Sequence, residues 1–249
     1  MNVAIPNRVT PPTPLRIAVL TLSLLTMVPA LAGEKQVLPP TARPHGWSLE
    51  DMAAAVANFS ISGNDLAYYP DTPFQILYVN PDLFEPPRVV HKKDLQTACD
   101  SPAPPCGLLF TQSGEFSNSF TVPRGQKFFV PVDNADDSPP IVGNFPANNH
   151  QARKYIFEPA QVGGRNFSVT IDGVCTTLGP PYVAGPVKTP PLLDGGGTHM
   201  VTIGAFLAAM SPGHHTVRIT GGYFGKGIRD TYGIGFIALD FTYSVTVTP

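Results

Sequence analysis

The chain has 249 residues, 43% of them apolar and only 14% charged, with a formal net charge of −2. So little charge excludes a disordered charged tail and a long coiled coil, which both need charged side chains in quantity. With 29 prolines and 23 glycines the chain cannot be all helix, and 16 basic against 18 acidic residues leave no electrostatic footprint for nucleic acid.

The first thirty-odd residues read as an address. Arg8 and Arg16 are the only charged side chains before Glu34, and an apolar run from Ile17 to Val28 leads into Pro29-Ala30-Leu31-Ala32. That order of basic start, apolar middle and small-residue end is a secretory signal peptide, with cleavage expected after Ala32. The competing reading is a membrane anchor, but Pro29 interrupts the run, which falls short of the roughly 18–20 residues that span a bilayer. No later segment is long and apolar enough to span. The expected mature protein is therefore secreted or periplasmic, by bacterial export, without a membrane span. Export places the cysteines in an oxidising compartment. Cys99 and Cys106 bracket Asp-Ser-Pro-Ala-Pro-Pro, a short stiff loop, and are expected to form a disulfide. Zinc would need a second ligand pair near them, and none is present. Cys175 is left over and is expected to be a buried thiol.

Residues 33–45 read as a leader without regular structure, followed by a single domain over 46–249. Ser48, with an acid three residues on at Asp51, marks a helix start, and Met52 to Asn58 suits a short helix. Trp47 beside it is expected to anchor the helix to a sheet. From there the period becomes two. Strands are expected at Phe74–Val79, Phe116–Val122, Lys127–Val132, Lys154–Phe157, Phe167–Ile171, His199–Ile203, His215–Ile219 and Ile234–Val247. On the His215–Ile219 strand, Val217 and Ile219 are expected to point inward with His215, and Thr216 and Arg218 outward. Gly/Pro turns with no helix between strands imply an all-β fold, an antiparallel two-sheet sandwich of jelly-roll or immunoglobulin-like type with one short N-terminal helix. Long loops are expected at 80–106, 133–150 and 178–197.

Two segments carry a resemblance. Phe120-Thr-Val-Pro-Arg-Gly-Gln-Lys-Phe-Phe-Val-Pro-Val-Asp-Asn134 and Gly204-Ala-Phe-Leu-Ala-Ala-Met-Ser-Pro-Gly-His-His-Thr-Val-Arg-Ile-Thr-Gly-Gly222 resemble a group of secreted bacterial proteins of unassigned function. Those proteins carry a V-P-x-G-x-x-x-F-x-P-V-x-N strand pair and a later L-x-P-G-x-H-x-V hairpin, with Met210 standing here where the group often has Leu. The resemblance implies a secreted β-sandwich and transfers no functional residues, because the group carries no established catalytic ones.

Several residues are candidates for chemistry. No cofactor is expected, with calcium as the exception that Asp133, Asn134, Asp136 and Asp137 would allow by offering hard oxygen ligands on one loop; the segment lacks the glycine and distal glutamate of an EF-hand, and a solvated polar turn is the plain alternative. His199 with His215, assisted by Met200 and Cys175, would suit copper only if the two histidine strands pair; His214 points to the opposite face. No Gly-x-Ser-x-Gly elbow is present. Carboxylate pairs for glycoside hydrolysis can be drawn from Asp172, Asp194, Asp230 or Asp240, at separations a sequence does not show. Tyr223 and Phe224 sit in a glycine-rich segment that can present rings to a sugar, with Asp230 and Tyr232 nearby; Tyr68 and Tyr69 form a second pair. The plain alternative for such rings is a core plug. A ligand site is expected where loop 133–150 meets loop 221–233, the alternative being two unrelated surface loops. The function expected is a non-enzymatic binding or structural module for an extracellular or envelope ligand such as a glycan. The second reading is a secreted hydrolase or metal-dependent enzyme with a site built from distant residues.

Overall fold

In the computed structural model, which describes residues 36–92 and 106–249, Ser48 opens α1 (Leu49–Ile61) with a complete capping box. The Asp51 backbone N–H donates to Ser48 Oγ at 3.0 Å, and the Ser48 N–H donates to Asp51 Oδ2 at 2.8 Å. The expected helix is thus present and runs three residues further in each direction. Cys99 lies outside the described residues, and so does the expected Cys99–Cys106 bridge. The signal segment lies outside them as well. All described residues belong to one unit, Glu34–Pro249.

Among the described residues the strands are β1 (Gln75–Ile76), β2 (Arg88–His91), β3 (Cys106–Phe110), β4 (Asn118–Val122), β5 (Phe128–Asp136), β6 (Gly164–Ile171), β7 (Val174–Thr177), β8 (Val183–Lys188), β9 (His199–Leu207), β10 (Gly213–Tyr223) and β11 (Ile237–Val247). Two further helices are α2 (Asn149–Phe157) and α3 (Lys226–Tyr232). A four-stranded sheet has the order β1-β5-β9-β8. A seven-stranded sheet has the order β2-β3-β11-β10-β6-β7, with β4 also on β11. The fold is β-rich, as expected, but both sheets are mixed: β1 runs parallel to β5, and β3 and β4 run parallel to β11. The antiparallel expectation holds for β2–β3, β5–β9, β6–β7, β6–β10, β8–β9 and β10–β11. The parallel pairs join strands distant in sequence, where no tight turn fixes the relative direction and either one can occur.

Three further expectations need correction. Lys154–Phe157 is the last part of α2, not a strand: Ala152, Tyr155 and Ile156 are its buried residues, at helical spacing. The loops at 80–106 and 178–197 contain β2 and β8. The leader is not wholly without structure, since Val37 is buried and bridges Leu207 beside β9, with the Leu38 N–H donating to the Phe206 carbonyl. The two motif segments also differ from the hairpins that the resemblance implied. β4 belongs to the seven-stranded sheet and β5 to the four-stranded one; β9 and β10 are divided likewise. Each motif is a passage between sheets.

One large cluster of buried apolar residues draws on both sheets, taking Phe128, Val130, Ile203 and Ala205 from one and Val217, Ile219, Phe241 and Val245 from the other. Val217 and Ile219 are buried, while Thr216 and Arg218 are exposed, as the period-two reading required. A second cluster lies on the other side of the four-stranded sheet, where Met52, Val56 and Phe59 of α1 meet Phe129 and Phe206. Trp47 packs edge-on to Phe74 in that layer, as an anchor would.

Candidate functional site

Along β5 the side chains alternate. Phe128, Val130 and Val132 face the inter-sheet core, and Phe129 faces α1. Strict alternation would turn Asp133 outward. The β5–β9 register shifts between Pro131 and Asp133: Pro131 pairs with Gly204, Val132 has no partner, and Asp133 pairs with Ile203. Ile203 is a core residue. Cross-strand partners share a face, so this bulge turns the Asp133 carboxyl inward.

The carboxyl meets a cavity of about 590 Å³ between the sheets. Its walls are mostly apolar, with Leu77, Val132 and Val142 on one side and Ile219, Leu239, Phe241 and Tyr243 on another. Polar groups enter from four elements: Asp133 and Asp136 from β5, Tyr155 from α2, Tyr223 from β10 and Tyr232 from α3. Exposed Pro139, Pro140, Asp194, Phe84 and Tyr232 mark the rim. The α2 and α3 residues are placed by one backbone junction. Phe224, Gly225 and Gly227 donate N–H groups to the carbonyls of Gly163, Val162 and Gln161, and Lys226 donates to Pro159. Gly225 is required there, since a Cβ on it would lie 2.1 Å from the Gln161 oxygen.

Asp133 keeps some accessible surface but is enclosed by protein, its free side being the cavity. Burial raises its pKa to about 6, offset in part by the Asn134 N–H, which donates to it at 2.8 Å, and by the Tyr223 hydroxyl beside it. Tyr223 is 5% exposed, and its hydroxyl is buried without a hydrogen bond of standard geometry, although it stands near enough to Asp133 to interact electrostatically. Burial, together with Asp133 and Tyr155, holds the Tyr223 hydroxyl protonated far above its ordinary range. Burial first, then Tyr232 and Asp136, raises Tyr155; burial and Asp136 raise Tyr232. The cavity therefore offers hydroxyl donors and acceptors and an acidic group, in apolar surroundings.

Loops 133–150 and 221–233 do meet, with Tyr232 Oη donating to the Pro140 carbonyl at 3.4 Å. Both expected loops are partly regular, the first running through the end of β5 into α2 and the second containing α3. The expected ligand residues divide. Tyr223 and Tyr232 line the cavity. Phe224, just past the end of β10, packs elsewhere, stacking on Phe236 at 5.4 Å with Lys92 over its ring. Asp230 pairs with Lys226 on the exposed side of α3. Tyr68 is exposed, whereas Tyr69 packs on Phe59 and accepts from the Ile76 N–H.

Of the calcium candidates, Asp133, Asn134 and Asp136 line the cavity, where Asn134 accepts from Thr202 Oγ1 and Asp136 from the Ser138 N–H, whereas Asp137 lies apart, accepting from the Thr198 and His199 N–H groups and contacting His199 Nδ1. Among the described residues no three His, Cys, Asp or Glu side chains are grouped to hold a metal ion. His199 and His215 lie in different sheets, so their strands do not pair. His215 contacts Asp172, His214 contacts Thr246, and Cys175 is exposed rather than buried. Of the four candidate hydrolytic carboxylates, Asp172, Asp230 and Asp240 are paired with His215, Lys226 and Arg218, and only Asp194 reaches the cavity rim.

Sequence reasoning missed Tyr155, which the helical spacing of Ala152, Tyr155 and Ile156 would have revealed, and missed the inward turn of Asp133. Among the described residues no helix is long and apolar enough to cross a membrane. Compared with protein-family models, curated proteins and solved structures, the chain finds no match in any of the three.

Proposed function

We propose that this chain is an exported, non-enzymatic binding module of sandwich architecture, whose inter-sheet cavity takes a small ligand with an apolar body and a polar head. The supporting observation is the Tyr223 hydroxyl, buried without a standard partner beside a cavity of about 590 Å³. Ligand cavities fall at about 300–1,000 Å³, with apolar walls and a few orienting polar groups. A buried hydroxyl left without a partner costs free energy, which a ligand's polar group would offset. A glycan lying on exposed flat rings fits less well, because Tyr223 is enclosed and Phe224 is committed to Phe236. The motif resemblance and the sequence of residues 1–32 support the exported sandwich; N-terminal sequencing of protein recovered from an expressing bacterium should begin at Gly33, and retention of Met1 would count against export.

The binding reading is tested by ligand-dependent melting with a panel of small amphiphilic compounds. At least one should raise the melting temperature of the wild type, and Ala135→Leu, which narrows the cavity, should reduce the rise. A panel without effect on the wild type would overturn the reading.

A further inference from the structure

We propose that the ligand's polar head is an organic cation, an alkylammonium or quaternary ammonium group seated between Asp133 and the cavity tyrosines. The inference rests on the binding reading above and names its ligand class. Its basis is the charge and the chemistry of the lining. Three carboxyl residues, Asp133, Asp136 and Asp194, line the cavity, and among its described lining residues there is no Lys, Arg or His. An anionic ligand would meet uncompensated like charge, and a neutral one would leave the carboxyl at the bulge with hydrogen-bond donors but no countercharge. A cation compensates it.

The second observation is a buried hydroxyl in the same lining. The Tyr223 hydroxyl is buried, lacks a hydrogen bond of standard geometry and belongs to a residue only 5% exposed that lines the same cavity. Tyr155 and Tyr232 stand in the same field, each sensing Asp136. Tyrosine faces attract ammonium groups through the ring quadrupole, and more strongly where water is excluded. Tyrosine hydroxyls also accept hydrogen bonds from an alkylammonium N–H. The apolar walls of Ile219, Leu239 and Phe241 then cover the alkyl body. The bulge gives this arrangement a structural origin, since it is what turns a carboxyl into an otherwise apolar core.

The test uses three probes with one alkyl body: hexyltrimethylammonium, hexanol and hexanoate, each below micelle formation, titrated calorimetrically into the chain near pH 7. Hexyltrimethylammonium should bind at least roughly tenfold more tightly than hexanol, and hexanoate weakest, as a desolvated cation site requires. Asp133→Asn should abolish the preference while leaving hexanol affinity within about threefold. Tyr223→Phe serves as the second variant, and the melting temperature of each confirms folding. If hexanol or hexanoate binds the wild type as tightly as the ammonium probe, the cation assignment is overturned and the small-ligand reading stands. If the preference survives Asp133→Asn in a folded variant, the assignment is also overturned. If none of the three binds, the binding reading falls and the inference with it.

Discussion

Asp133 stands opposite Ile203 across the β5–β9 ladder, one residue out of phase with the alternation that precedes it. The shift places an acid where the pattern Phe128, Val130, Val132 would otherwise continue the core and leave Asp133 on the α1 side. Such an inversion costs stability whenever the carboxyl is ionised, which gives the first prediction its sign.

Burial holds the Asp133 pKa at about 6 in the folded chain, against an ordinary carboxyl value of 3.8. The folded state therefore holds its proton more tightly than the unfolded state, and stability falls as pH rises from about 4 to about 6. The cost at neutral pH reaches up to about 3 kcal/mol, less what cavity water offsets. Tyr223 from β10 faces it, Tyr155 from α2 and Tyr232 from α3 line the same cavity and sense Asp136 on its own strand, and all three tyrosines stay protonated across this window. Other groups act elsewhere on the scale. Burial works against the charged form of His215, but Asp172 and the Ser211 carbonyl raise its pKa overall, so its contribution is present below about 6.5 and is lost above that as pH rises through the folded value. Burial likewise opposes the charged form of Asp137, but the His199 and Thr198 N–H groups and the His199 ring lower its pKa overall, so its contribution is lost only below about 4. Urea unfolding at a series of pH values should show the slope between about 4 and 6 in the wild type and a flatter curve in Asp133→Asn. An unchanged slope in the variant would place the titration elsewhere.

Val217 is fully buried, paired with Ile171 on one side and Tyr243 on the other. Val217→Asp buries a charge with no partner and should cost at least about 4 kcal/mol, enough to leave the domain unfolded or barely folded. A wild-type melting temperature would show that this strand does not face the core.

How far the sequence reached follows from the range of each signal. The α1 cap was legible because Ser48 and Asp51 are three residues apart and act alone. The inward face of β10 was legible because period two needs only neighbouring residues. The hairpin β6–β7 is equally local, since Asp172 and Gly173 both take positive φ at its turn, as Asp-Gly pairs do. The α2 error came from a window of four residues, too short to separate Tyr155-Ile156-Phe157 as a strand from the same residues in a helix; Asn148 capping the Gln151 N–H was the missing cue. The sheet assignment of β4, β5, β9 and β10 was not legible, because a turn signature fixes a change of direction and not the partner strand. The bulge depends on Ile203, seventy residues away, and so do the cavity and the role of Asp133.

Tyr223 and Phe224 are neighbours with opposite duties, and paired variants should separate them. Phe224→Ala removes the ring stacked on Phe236 beside Lys92 and should lower stability by about 1–3 kcal/mol while leaving ligand binding unchanged. Tyr223→Phe keeps the ring among its buried neighbours and removes only the hydroxyl, so it should preserve the melting temperature and weaken binding of hexyltrimethylammonium. If both variants changed stability alone, Tyr223 would be a core residue with no part in a site.

The last prediction concerns how the helix that carries Tyr232 is held. α3 is seven residues long and has a glycine at each end. Gly225 at its start has an ordinary φ of −76, so conformation does not require glycine there, but space does: an added Cβ would lie 2.1 Å from the Gln161 carbonyl oxygen. Gly233 at its end has a φ of 69 and open space around it, so there conformation alone is at stake. Gly233→Ala should cost about 1 kcal/mol, the usual penalty for a side chain in the left-handed region. Gly225→Ala must push the α3 start away from the 161–163 backbone and break N–H bonds to Val162 and Gln161, costing about 1–3 kcal/mol or more. The same displacement moves Ile228 and Tyr232 in the cavity wall, so Gly225→Ala should also weaken ligand binding more than its partner variant does. Melting curves and calorimetric titration of the two variants side by side check both parts. Equal costs with equal affinities would show that the junction gives way easily and does not position the cavity.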